Sequence, residues 1–517
     1  MRARLLHGAI FAGFALLALA IRLPRLSERP MHTDEAVNAY IIGGILAGEN
    51  YHYDPTDRHG PALSLAALPF VRFAGATSFA RLSETTLRCV PVVWGALTLL
   101  LFAALVRHTG LLAASAAALL LAIGPLPVYY SRYFIHETLF VTGTLGFLLS
   151  GWLALESKSL RSGVLVGVTA GFMLACKETA VLHFAAFGVA GLWWLLVRRR
   201  EGSSRRLRWN ALVGTDCAAL VAFAVVILAF YSWGGRYWRG PLDLASSIGP
   251  FASRAAGQGH EKPFWYYAAL LAQGWSGKGV LVLAGIGGVI VARTMPRTGR
   301  ESGPDSTPLL AGFPEPSAEL PTPALSLQAL LIYAIIISLL YSAIPYKTPW
   351  LALNLWLPMI MLAGIGFASL WQATRKTWIR LPLMLAACAL VATLGRDTWQ
   401  RVFVWPSDDR NPYAYAHTVD DLLRLPARLE QLVPQTNPAG DQLIAVCAAD
   451  PWPLPWYLRK FPRVGYWQPG QDPGPADIYI TSPEAAEKLA PRLANRRMEF
   501  FGLRPEVLIF LWPPPHE

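Results

Sequence analysis

The chain has 517 residues, 54% hydrophobic and only 15% charged, with 19 tryptophans and a net charge of +12. Soluble domains carry roughly 25% charged residues, so this composition excludes a soluble globular protein and describes an integral membrane protein with aromatic belts; the mean hydropathy is +0.37. The positive charge does not point to nucleic acid, because its densest run is a short loop between apolar segments, where it marks topology.

A bilayer-spanning helix needs roughly 20 apolar residues. Taken in order, the candidate spans are 5–21, 86–106, 111–129, 134–154, 162–176, 179–197, 210–232, 279–293, 326–344, 350–370 and 379–395, about eleven transmembrane helices. Arg2 and Arg4 before the first run resemble a signal peptide, but the many later spans favour a retained helix. Two shorter apolar pieces, 36–47 and 62–74, are predicted to lie in the interface within a first outer loop at 22–85.

The run from Arg198 to Arg208 reads as cytoplasmic, and counting outward places Lys158, Arg161, Arg375, Lys376 and Arg380 on the same side. The Pro- and Ser-rich connector 294–324 then reads as a cytoplasmic linker. Arg22, Arg25 and Arg29 fall outside, against the rule. With this parity, separate charged clusters meet at the outer face of a multi-pass protein of the cytoplasmic (inner) membrane. They are Asp34-Glu35, His59-Gly60-Pro61, Ser131 to Glu137, Cys176-Lys177-Glu178 and Tyr346 to Trp350.

Residues 1–396 thus form a transmembrane domain and 397–517 a small extracytoplasmic α/β domain. Its predicted elements are a helix near 413–432, strands at 442–448, 477–481, 498–503 and 507–512, and a helix at 483–494. The apolar, proline-bounded segment with Trp452, Trp456 and Tyr457 is expected to pack back on the membrane part or cover a cavity mouth. The five cysteines (Cys89, Cys176, Cys217, Cys388 and Cys447) include no CxxC pair, so neither a disulfide framework nor a zinc site is indicated.

Acids, bases and cations gathered near a bilayer surface suit a lipid phosphate, whose tail needs a membrane groove and whose head needs positive charge. Arg132 can grip phosphate bidentately, while Lys177 and Lys347 act as point charges. Sugar transfer from such a carrier also needs a base, which Asp34 or Glu35 would supply. His59, Tyr133, His136, Glu137 and Glu178 would support the site. Each has a plainer role: a helix cap, an Arg132–Glu137 or Lys177–Glu178 pair, a turn at His59, or a snorkelling Lys347. No HExxH or DxD occurs, so His32, Asp34 and His59 are weak support for a divalent metal, and no cofactor is firmly implied.

These motifs resemble those of the GT-C superfamily of membrane glycosyltransferases, which includes protein O-mannosyltransferases and aminoarabinose transferases. The resemblance rests on His32-Thr-Asp34-Glu35-Ala, His59-Gly60-Pro61, Arg132-Tyr-Phe-Ile-His-Glu137 and Lys177. Lys347-Thr-Pro-Trp350 and Trp452-Pro-Leu-Pro-Trp456-Tyr-Leu-Arg459 are most similar to the flippase activity-associated family within that group. The resemblance implies a polyprenyl-phosphate sugar donor, with Asp34 rather than Glu35 as base. His-Gly-Pro stands where the mannosyltransferases commonly have His-Pro-Pro, which leaves the acceptor open among protein, lipid and glycan. A single base with displacement from the opposite face predicts inversion. A flippase or transporter, or a non-catalytic scaffold, are the other readings. The first would be favoured by ionisable residues at mid-span and internal repeats; the second would leave Asp34 dispensable.

Overall fold

The computed structural model describes residues 2–200, 209–257, 259–295, 322–374, 376–436 and 442–515. Arg375, the arginine run beyond Arg200 and most of the 294–324 connector lie outside the described residues.

Helix α1 (Arg2–Arg22) leads into a long loop, which holds α2 (Thr33–Leu46) and α3 (Ala62–Phe73). There follow α4 (Glu84–Thr109), α5 (Leu111–Ile123), α6 (Pro125–Tyr130), α7 (Glu137–Ser157), α8 (Leu160–Cys176), α9 (Ala180–Arg200) and α10 (Trp209–Tyr231). Three short helices, α11 (Gly240–Ala245), α12 (Ile248–Ala255) and α13 (Tyr266–Leu271), occupy the long loop before α14 (Gly274–Arg293). The membrane part ends with α15 (Thr322–Ala343), α16 (Leu353–Ala373) and α17 (Thr377–Trp399).

Among the described residues, nine helices are long and apolar enough to cross a membrane: α1, α4, α7, α9, α10 and α14 to α17. The other two predicted spans are occupied by shorter helices, and each has a local cause. The 111–129 run breaks at Gly124-Pro125, where proline starts α6 instead of continuing α5. Arg22 caps the broken end: its guanidinium donates to the carbonyls of Ala122 at 2.7 Å and Leu121 at 2.9 Å. Helix α8 has 17 residues and carries Gly163, Gly167 and Gly171 along one face. A Cβ on Gly163 would stand 2.2 Å from the Thr215 carbonyl oxygen of α10, and one on Gly167 would stand 2.1 Å from that of Ala219. Small residues at every fourth position let the two backbones touch, which is how helices gain packing energy where lipid offers no hydrophobic drive.

The predicted boundary at 397 moves. Helix α17 runs through Asp397 to Trp399, and a π-helical turn continues to Val404. Asp397 looks like the start of a polar domain in sequence, but its carboxylate accepts from Ser276 Oγ of α14 and belongs to the bundle.

Beyond it lie α18 (Arg424–Thr436), α19 (Leu454–Tyr457), α20 (Pro483–Lys488) and α21 (Ala490–Leu493) around one five-stranded sheet. Its strands are β1 (Ile444–Cys447), β2 (Val464–Trp467), β3 (Ile478–Thr481), β4 (Glu499–Arg504) and β5 (Val507–Trp512), in the order β2-β1-β3-β5-β4. β1 pairs parallel with β2 and β3, while β5 runs antiparallel to β3 and β4. Alternation along the strands sends Ile444, Val446, Ile478 and Ile480 towards α18, and Ala445, Cys447 and Tyr479 towards α20 and α21. Strand β2, Val464-Gly-Tyr-Trp467, is a partly exposed four-residue edge interrupted by Gly465, and sequence reasoning missed it. The helix expected near 413–432 begins only at Arg424, after a 3₁₀ turn at Asp420–Leu423.

Candidate active site

The two adjacent carboxylates of α2 face opposite environments. Helix α2 is capped by His32, whose Nδ1 accepts the Asp34 N–H at 3.1 Å. Successive helical residues point about 100° apart, so Asp34 and Glu35 diverge.

Glu35 is fully buried. Its Oε1 accepts from Arg88 Nε at 2.8 Å and the Phe134 N–H at 2.9 Å. Its Oε2 accepts from Arg29 at 2.8 Å, Arg88 at 2.9 Å and the His32 N–H at 3.0 Å. Burial alone would raise this carboxyl, but Arg29 and then Arg88 hold it far below the usual carboxylate range. A carboxylate with five donors and no opening has no capacity left for substrate. Glu35, expected as a catalytic residue, is instead a structural tie whose partner cations are Arg29 and Arg88.

Asp34 lines a cavity of about 360 Å³ at the end of the bundle. Among the described residues its carboxylate makes no hydrogen bond or ion pair. Around it stand Arg58, His59, His136, Glu137, Lys177, Glu178 and Arg254, with Tyr341, Tyr346, Trp350 and Trp452 supplying aromatic wall.

Two of the cavity's acids are already paired. Lys177 Nζ contacts Glu137 Oε1 directly, and His59 Nδ1 meets Glu178 Oε2 at 2.9 Å. Tyr53 donates to the other Glu178 oxygen at 2.7 Å. Burial raises the Glu178 carboxyl, but His59 and the Tyr53 hydrogen bond bring it down to about 2. The His59-Gly60-Pro61 turn is pressed onto the end of α8, where a Cβ on Gly60 would sit 2.2 Å from the Ala175 carbonyl oxygen. His136 Nε2 lies 3.1 Å from the Gly60 carbonyl, and burial, with His59 beside it, holds the imidazole well below its usual range.

Besides Glu35, three sequence candidates are not brought to the cavity. Arg132 turns back onto α1 and the following loop, donating to the carbonyls of Arg22, of Pro24 at 2.6 Å and of Arg25 at 2.9 Å. It thus satisfies backbone oxygens left open where α1 ends, and neither phosphate contact nor a Glu137 pair is available to it. Lys347 is buried, with Nζ on the carbonyls of Ile344 and of Lys262 at 3.2 Å. Tyr133 lies under the Arg29 guanidinium, 3.4 Å from ring centre to Cζ, and bonds Tyr129 rather than the cavity.

Two cavity cations were missed. Arg58 precedes His59 and spends one nitrogen on the His52 carbonyl at 3.2 Å. Arg254, on α12, bonds the Pro55 carbonyl at 2.9 Å and has a buried Nε with no partner. The first could have been read from its place beside the His-Gly-Pro turn. The second lies in a long loop with no local motif.

Hydrogen bonding also accounts for two of the three arginines that stood against the topology rule. Arg22 and Arg29 are consumed by carbonyls and by Glu35, so only Arg25 of the three is exposed. They answer to hydrogen bonding rather than to topology.

The C-terminal domain closes over this end. Trp456 Nε1 donates to Glu84 of α4 at 2.7 Å, and Arg459 donates to the Leu82 carbonyl at 3.1 Å. Trp452 lines the cavity and meets Tyr40 of α2 edge-on, ring centres 5.9 Å apart.

A sequence family described as dolichyl-phosphate-mannose-protein mannosyltransferase matches residues 69–230. That stretch contains Glu137, Lys177 and Glu178 but neither Asp34 nor His59. No curated protein matches the chain in sequence. The structure is similar to that of ArnT from Cupriavidus metallidurans bound to undecaprenyl phosphate, with a TM-score of 0.63 at 16% identity, covering 96% of this chain and 97% of that one. It is also similar to the Archaeoglobus fulgidus oligosaccharyltransferase, with a TM-score of 0.55 at 13% identity, covering 90% of this chain and 65% of that one. Another structure of that oligosaccharyltransferase, tethered to an acceptor peptide, gives 0.53 at 14% identity and covers 89% and 63%. The chain shares the fold of these membrane-protein structures, and in the case of ArnT over 96% of its length.

Proposed function

We propose that the protein is a membrane glycosyltransferase that moves a sugar from a polyprenyl-phosphate carrier to an acceptor at the extracytoplasmic face. Transfer inverts the anomeric carbon, and Asp34 is the general base. The observation that carries this reading is the half-buried, unpartnered Asp34 carboxylate in a cavity where Glu137 and Glu178 are paired and the fourth described acid, Asp57, is exposed to solvent.

In the reaction, Asp34 accepts the proton from an acceptor O–H or N–H as that atom attacks the anomeric carbon. The bond from that carbon to the phosphate oxygen breaks, and the phosphate leaves with the electron pair. Arg254 and Arg58 neutralise it, with Lys177 beside them once Glu137 yields. A phosphate leaves without a general acid, and these cations supply charge that stabilises it. The fold shared with ArnT, whose structure holds undecaprenyl phosphate, supports the carrier class. The mannosyltransferase match supports mannose as the first sugar to try. A transporter is disfavoured because the cavity's charges sit at helix ends rather than at mid-span.

The test is release of undecaprenyl phosphate from undecaprenyl-phosphate mannose, and from a panel of related sugars, by the full chain in nanodiscs. Asp34→Asn keeps shape but cannot take a proton at neutral pH, so turnover should fall by about 10²–10⁴-fold with donor affinity retained. Near-normal turnover would remove Asp34 from the reaction. The side of the membrane is checked in a cysteine-free background, where an impermeant maleimide should label Arg239→Cys in intact cells and spare Lys158→Cys.

A further inference from the structure

Asp34 has no side-chain partner, so its position is set by the backbone at the start of α2 alone. That backbone is held from the far end of the chain. The Met31 N–H donates to Tyr457 Oη at 2.8 Å, across 426 residues of sequence. The Met31 carbonyl accepts from Thr418 Oγ1 at 2.7 Å, across 387 residues. Both polar groups of one peptide residue, immediately before the N-cap, are thus taken by side chains of the C-terminal region. Met31, Thr418 and Tyr457 are all buried.

The N-cap itself is tied to the same region. His32 Nδ1 accepts the Asp34 N–H, so that nitrogen carries no proton and the neutral ring carries it on Nε2. Nε2 lies 3.0 Å from the Tyr415 carbonyl, to which it therefore donates. The imidazole bridges the amide of the cavity carboxylate to the segment that leads into the sheet.

We propose that the C-terminal domain positions the base: Thr418 and Tyr457, with Tyr415 acting through His32, fix the first turn of α2 so that Asp34 meets the acceptor. These are positioning residues, since none of the three is placed against substrate. The inference rests on the reading of Asp34 as base. It assigns the sheet domain a part in the chemical step that its distance in sequence conceals. A displacement of about 1 Å at a reacting group can cost about 10²-fold in rate, so loosening two anchors should register in turnover.

The experiment uses the full chain in nanodiscs with undecaprenyl-phosphate mannose as donor. Thr418→Val and Tyr457→Phe keep volume and remove the hydroxyl. Each should lower turnover by about tenfold and leave the donor KM within twofold, and Thr418→Ser should recover most of the loss. The control is Thr481→Val, which removes the hydrogen bond from Trp512 inside the sheet, 3.0 Å in length, and leaves the three anchors intact. It should lower the unfolding temperature without changing turnover. Hydrogen exchange provides a second readout independent of the sugar: the amides of Asp34, Glu35 and Ala36 should exchange faster in Thr418→Val and Tyr457→Phe and unchanged in Thr481→Val. Wild-type turnover in the two hydroxyl variants, while Asp34→Asn is inactive, overturns the proposal alone. Unchanged exchange at α2 overturns it whatever the donor. An active Asp34→Asn enzyme instead sinks the assignment of the base.

Discussion

Helix α2 separates two regions built from the same residue types. On one side Glu35 is saturated by Arg29, Arg88 and two backbone N–H groups, with no water-accessible surface. On the other, Asp34 stands open in a cavity among Arg58, Lys177 and Arg254. A buried charge is tolerated only when its hydrogen-bonding capacity is filled, and a filled carboxylate cannot also act on a ligand. Vacancy, rather than charge or burial, is what separates the proposed base from the structural carboxylate beside it. It applies equally to the arginines: Arg22, Arg88 and Arg132 are spent on the chain itself, whereas Arg254 keeps an unpartnered Nε at the cavity.

The sharpest way to break the comparison is Glu35→Gln. Two buried guanidinium groups would lose their counter-charge, at a cost of about 3–5 kcal/mol, so the variant should fail to accumulate as folded protein. A well-folded, low-turnover Glu35→Gln enzyme would reverse the roles of the two carboxylates. Next comes Arg132→Ala, which frees carbonyls at the end of α1. It should cost about 1.5–3 kcal/mol of stability in thermal unfolding while undecaprenyl phosphate binds within twofold of wild type. Arg254→Ala should do the opposite, weakening that binding by about ten- to a hundredfold with little change in unfolding temperature. Equal effects of the two arginine variants on both measurements would erase the distinction.

The smallest effect is a pH dependence. Burial, with His59 beside it, depresses the His136 imidazole, so below its ordinary value of 6.5 the unfolded chain binds a proton that the folded chain refuses. The stability this contributes is whole above pH 6.5 and declines as pH falls, by up to about 1.4 kcal/mol per pH unit. Glu178 is also depressed, but from a carboxylate value of 4.5 to about 2, so its loss begins at lower pH. Unfolding temperatures of wild type and His136→Gln should therefore diverge between pH 6.5 and 5. Parallel curves would mean that His136 is not held neutral.

Much of the architecture follows from the sequence by itself, because membrane spans are decided by local composition. A run of apolar residues must satisfy its own backbone in lipid, so length and hydropathy suffice to place most of the helices, the two short ones after α1 included. The same locality marks where it stops. Gly124-Pro125 looks like a tolerable interruption until α5 is seen to end there with its carbonyls held by Arg22. Asp397 looks like a domain boundary until Ser276 claims it.

The site divides in the same way. Residue type and loop parity brought Asp34, His59, His136, Glu137, Lys177 and Glu178 to one end of the bundle, and the structure gathers these six around one cavity. Tertiary structure alone decided which charges are free, because an arginine's partner can be a carbonyl a hundred residues away that carries no sequence signature. It withdrew Arg132, Lys347 and Glu35, brought in Arg58 and Arg254, and tied Met31 to Thr418 and Tyr457. Hydropathy is a property of a segment and can be read along the chain. Hydrogen-bond saturation is a property of a place in space and exists only once the chain has folded.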